Sequence, residues 1–131
     1  MHVFEKSVLE TVGVAPMFYT AVEKTGVGVD MAKFNNYVAI IQRTAVTQYG
    51  GALTAVIAES TDNTTYSDTY LATVTIASST TTDQIDTVEV KASDLSAGYR
   101  YLRCEVTPGA GTQNYFSCTN LRFNPRFAAV Q

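Results

Sequence analysis

Apolar and polar residues alternate with a period of two in short runs broken by turn residues, the pattern of strands that bury one face. Tyr37 to Val46 places Val38, Ile40 and Val46 on one face and Ile41 on the other, and Gly50-Gly51 then interrupts it. Leu53 to Ala58 sets Leu53, Ala55 and Ile57 on one side. It gives way at Glu59-Ser60 to the polar run Thr61 to Thr65, which predicts a loop because nothing in it buries cheaply. Tyr66 to Leu71 reads as a short edge strand. Ala72 to Ala77 alternates Val74 and Ile76 with Thr73 and Thr75, β-branched at four consecutive positions. After the polar stretch Ser78 to Asp83, Asp86 to Lys91 turns Val88 and Val90 inward, and Ser93-Asp94 suits the cap of a single helical turn.

The last unit reads as a hairpin: Tyr99 to Thr107, a Pro108-Gly109-Ala110-Gly111 reversal, then Asn114 to Phe123. A reversal near Gly111 would set Cys104 and Cys118 opposite each other on neighbouring strands, either as a disulfide or as two small buried thiols. Helical periodicity is nearly absent. About seven or eight short strands without intervening helices predict an all-β domain, an antiparallel β-sandwich of jelly-roll or immunoglobulin-like kind.

The ends differ from this middle. Residues 1 to 20 carry a loosely apolar stretch, Val12 to Tyr19, whose Gly13 and Pro16 suit neither a helix interior nor a central strand, so an N-terminal arm is expected there. The sandwich is expected over 21 to 123, and residues 124 to 131 form an apolar tail after a proline. Val12, Val14, Met17, Phe18 and Tyr19 of the arm, with Pro125 and Phe127 of the tail, are therefore candidate protein contacts.

Composition narrows the function. With 131 residues the chain suits one core, and its 46% hydrophobic and 16% charged content makes a surface suited to company. A net charge of -3 gives no pull toward nucleic acid or an acidic membrane. The start of the chain lacks the pattern of a secretory leader, no apolar run reaches a membrane span, and synthesis in a cytoplasm is expected.

Catalysis lacks its parts. The one histidine, His2, sits at a terminus away from any nucleophile, so triad chemistry and an enzyme are not expected. Glu59, Asp62 and Asp68 share a loop, but without the spacing of a calcium loop or a motif for paired-carboxylate work. Two cysteines without further ligands make no zinc site, and Gly26-x-Gly28 lacks the third glycine and helix of a phosphate loop. No cofactor, metal or small-molecule substrate is expected. Tyr99, Tyr101 and Arg103 alternate onto one strand face, which is open to three readings: sheet surface, a protein contact, or a platform for a sugar or a base.

The succession Val29-Asp30-Met31-Ala32-Lys33-Phe34-Asn35 before YVAII, then LTAVIAESTDNTTYSD, then AGYRYLRCEVT, resembles small tailed-bacteriophage virion proteins of the capsid decoration (cement) and head-fibre-base type. The resemblance runs over roughly residues 21 to 123 and rests on strand and turn chemistry. It implies a β-sandwich on the outer face of a capsid, often a dimer or trimer, bound to the major capsid protein and stabilising the head. A glycan- or host-surface-binding module, or a tail or baseplate component, are the alternatives.

Overall fold

The computed structural model describes residues 8–19, 23–45, 51–77, 83–109 and 114–126. Val46, Gly50, the stretch 78–82 and the reversal at 110–113 lie outside them, as do 1–7 and 127–131. The described residues form nine strands in two antiparallel sheets, a β-sandwich. The strands are β1 (Val8–Tyr19), β2 (Lys24–Thr25), β3 (Val29–Asp30), β4 (Phe34–Arg43), β5 (Leu53–Ser60), β6 (Ala72–Ile76), β7 (Gln84–Lys91), β8 (Tyr101–Pro108) and β9 (Asn114–Pro125). One sheet has the order β1-β9-β4-β7. The other has β2-β8-β5-β6, with β3 also paired to β8.

The core lies between the sheets. Leu53, Ala55 and Ile57 enter it from β5, Val88 and Val90 from β7, and Ile76 from β6, as alternation predicts. In β4 the buried face is that of Tyr37, Ala39 and Ile41, while Val38 and Ile40 point outward and are half-buried. Tyr37 can lie inside because its hydroxyl donates to Asn120 Oδ1 at 2.7 Å, so that the buried phenol is not left unpaired.

Three expectations are corrected. The arm is, from Val8 on, edge strand β1 of the four-stranded sheet, paired with β9. Its register shifts lie between Val12 and Val14 and between Val14 and Met17, where Gly13 and Pro16 fall. Bulges on an edge strand accommodate both residues. The tail begins later than 124, since β9 runs through Pro125 and Arg126 N–H donates to Lys33 O. The hairpin of Tyr99–Thr107 with Asn114–Phe123 does not form. β8 is flanked by β5 and by β2 and β3, and β9 by β1 and β4, so the two strands belong to opposite sheets. Cys104 and Cys118 accordingly meet across the core, both as free thiols.

One border of the sandwich is closed by backbone. Gly26 N–H donates to Cys104 O at 2.7 Å and Val27 N–H to Gly13 O at 3.1 Å, joining the edges of the two sheets. A Cβ on Gly26 would stand 2.7 Å from that same carbonyl. At the other end Arg43 Nη1 reaches across to Ile76 O and Ala77 O, at 3.5 and 3.3 Å.

We expect Gly26→Ala to cost about 2–3 kcal/mol in chemical denaturation, because a carbonyl oxygen must move. Gly98→Ala should cost about 1 kcal/mol, since φ is +85° but nothing lies within 4 Å of its Cβ position. Tyr37→Phe, which strips Asn120 of its buried donor, should cost about 1–2 kcal/mol in the same assay.

Candidate functional site

The two outer faces of the sandwich are built differently. On the four-stranded sheet, ladder register places Val12, Thr119, Ile40 and Thr87 side by side, with Leu121, Val38 and Glu89 in the next row and Phe123, Asn36 and Lys91 beyond it. Val38, Ile40, Leu121 and Phe123 are half-buried, while Val12 and Ile85 at the flanks are 59% and 68% exposed. This is an apolar patch with a charged rim, where Asn36 Nδ2 donates to Glu89 Oε1 at 3.1 Å. At one end of it a cavity of about 310 Å³ is lined by Gln42, Thr44, Asp83, Ile85, Tyr115 and Ser117.

The outer face of the other sheet is covered by the chain itself. After β5 the segment 61–71 folds back, with Ser67 N–H donating to Glu59 O and Leu71 N–H to Ile57 O, both at 2.9 Å. Ala58, Ser60 and Glu105 point outward on β5 and β8 and are nevertheless buried beneath it. Tyr66 makes only an isolated bridge to Ser60, so the short edge strand expected over 66–71 is corrected to a lid. Its place is fixed by Gly28, where any Cβ would meet Asn63 Oδ1 and the Tyr66 hydroxyl.

The lid's acidic and amide groups hold the loop. Asp62 Oδ1 accepts from Thr64 N–H at 2.9 Å and Thr65 N–H at 2.8 Å, and these backbone donors hold its carboxyl well below the usual carboxylate range. Asn63, at φ +62°, accepts from the Tyr66 hydroxyl at 2.5 Å. Glu59 is buried and accepts from Ser96 N–H at 2.8 Å and Ser96 Oγ–H at 2.5 Å.

The aromatic and cationic stripe does not stay together. Tyr101 and Arg103 share the outer face of β8, whereas Tyr99 precedes the strand and lines a separate cavity of about 270 Å³ with Met31, Leu95 and Arg126. Arg103 is engaged within the chain: its guanidinium lies 4.0 Å from the Tyr66 ring centroid and pairs with Glu105 at 2.5 Å. Arg100 pairs with Asp30 and stands over the Tyr101 ring at 5.5 Å.

Of the other expected contacts, Val12 is exposed, and Val14 is corrected to a core residue at 5% exposure. Pro125 is half-buried opposite Phe34. Phe127 and the side chains of Met17, Phe18 and Tyr19 lie outside the described residues. Sequence reasoning missed Leu121, Phe123 and Ile85. The available signal was inverted alternation in β9, where Asn120 and Arg122 face in while Leu121 and Phe123 face out.

No family model and no curated protein matches this chain. Solved structures do match in fold. The PBSX exported protein XepA superposes with a TM-score of 0.62 at 17% identity, over 94% of this chain and 39% of that one. A structure of infectious bursal disease virus, Gx strain, gives 0.60 at 13% identity, over 88% of this chain and 31% of the other. A Bacillus endospore appendage structure, described as disulfide-linked pili, gives 0.50 at 13% identity, over 90% and 88%. The chain thus spans between 31% and 39% of the length of the first two. At these identities the likeness establishes the β-sandwich fold.

The depressed Asp62 pKa gives the lid a pH dependence. Its stabilising effect is present above the ordinary value of 3.8 and is lost as pH falls through the lower folded pKa. We expect limited proteolysis within 61–71 to accelerate between about pH 4 and pH 2 in the native protein, measured with an acid-active protease. In Asp62→Asn the loop should be cut faster at neutral pH, and the change in rate across that acid range should shrink.

Proposed function

We infer that this chain is a structural component of a bacteriophage virion, a decoration protein that binds the major capsid protein lattice and stabilises the head. The observation that carries the reading is the contrast between the two outer faces. One is roofed by residues 61–71, and the other presents Val12, Val38, Ile40, Leu121 and Phe123 around a polar rim. Apolar groups framed by polar ones on a small domain mark a surface suited to another protein. The sequence resemblance to decoration and head-fibre-base proteins, and the fold shared with a virus structure and a PBSX exported protein, support the same reading.

The competing glycan platform finds less support. Arg103, its cation, is already stacked on Tyr66 and paired with Glu105, so a sugar would have to displace both. Self-association into a dimer or trimer belongs to this proposal as the way several copies would sit at a symmetry axis.

Purified protein added to capsids that lack it is expected to bind at a fixed ratio to the major capsid protein, measured by sedimentation and quantitative mass spectrometry. Ile85→Asp is expected to weaken that attachment at least about tenfold while leaving the thermal midpoint unchanged, since Ile85 is 68% exposed in the free protein. No saturable binding at micromolar concentration would overturn the reading.

A further inference from the structure

We propose that Cys104 and Cys118 are a cross-linking pair, closing to a disulfide that staples the two sheets when the chain folds in the presence of a small-molecule disulfide. Both thiols are buried and free, one on β8 and one on β9, so the bond would join opposite sheets. They face each other at the level where the sandwich is drawn together by backbone. Gly26 N–H binds the carbonyl of Cys104 itself, and Val27 N–H binds Gly13, the neighbour of Val14, which is paired to Cys118.

Asn120 tightens the same level. Its Nδ2 donates to Val27 O at 3.3 Å, and its Oδ1 lies 3.9 Å from the Cys118 sulfur. Glycine at 26 lets the two sheets come this close: a Cβ there would stand 2.7 Å from Cys104 O of one sheet and 3.3 Å from Gly13 O of the other. A disulfide needs its two Cα atoms within about 7 Å, and the hydrogen bond between the Cys104 and Cys118 thiols already sets the two sulfurs side by side.

The chemistry sets when the bond can form. In the folded chain the Cys118 thiol, hydrogen-bonded to Cys104, and burial push the Cys104 pKa well up. Little Cys104 thiolate is then present, and burial of both sulfurs keeps an oxidant away from them. In the unfolded chain both thiols ionise normally. One thiolate attacks a sulfur of oxidised glutathione, forming a mixed disulfide and releasing one reduced glutathione. The second protein thiolate then attacks the protein sulfur of that mixed disulfide and releases the second. The protein loses two electrons and two protons, and one glutathione disulfide becomes two thiols. Closure of the sheets then shields the bond.

The test is to refold the full chain from denaturant with oxidised glutathione and, in parallel, to expose the native protein to the same reagent. Refolded protein is expected to be about 2 Da lighter than the reduced form, to yield a Cys104–Cys118 peptide pair, and to melt about 10 °C higher. Native protein is expected to stay reduced over the same period. Cys104→Ser and Cys118→Ser should each end as single-glutathione adducts or free thiols, without the mass loss. Wild-type refolded with and without oxidant carries the test if a serine variant fails to fold. Two glutathione adducts, two free thiols, or disulfide-linked dimers in the refolded wild type would overturn the proposal.

Discussion

A single buried amide holds the joint on which the sandwich depends. Asn120 sits in the core of a β-protein whose neighbouring positions are apolar, and it is tolerated because its carbonyl accepts from Tyr37 and its amide donates to the Val27 carbonyl. That second bond is the important one. It ties the middle of β9, in one sheet, to the segment entering β3 in the other, and the bonds from Gly26 and Val27 complete the seam. With this border closed, β1 is protected by its bulges and by the seam instead of standing open to another strand. At this border the molecule offers a partner no open edge.

The same economy of polar groups explains the second face. Ser60 and Glu105 project outward from their sheet yet are buried, so something had to cover them and satisfy them. The lid does so with Tyr66 over Arg103, Arg103 on Glu105, and Asp62 gathering the Ser60 hydroxyl and the turn's own N–H groups. A polar sequence such as Thr61 to Thr65 looks like a solvated loop. Here it is also the frame that positions an aromatic roof.

Alternation made β5, β6 and β7 readable because their inward residues are the aliphatic ones. The fold class followed from such strands and from the missing helical period. Three features escaped that logic. β1 contains Gly13 and Pro16, which argue against a strand unless bulges at an edge are allowed for. β8 and β9 flank a good turn sequence, and local turn chemistry cannot register that each strand's edges are already taken by partners far away in the chain. β9 reverses the usual code, since its inward Asn120 and Arg122 find distant acceptors in Val27 and Asp30. Its outward Leu121 and Phe123 are the very residues of the candidate surface. Such long-range partners leave no mark on the local pattern, so the surface was the part least legible.

The dimensions of the face that the described residues leave uncovered decide what kind of binding it suits. A four-stranded sheet about eight residues deep presents roughly 500 Å². Stable one-to-one complexes bury about 800 Å² on each side, and small interfaces bind weakly because association entropy consumes most of the gain. A face of this size, alone, makes a transient contact. Repeated on a lattice, and joined by copies that meet at symmetry axes, the same contact becomes strong through effective concentration without any new bond. The low charge of the chain fits that regime, since neighbouring copies at close spacing repel little at a net charge of -3. A partner presenting one isolated site would gain little from this surface, whereas an ordered array would gain with every copy added.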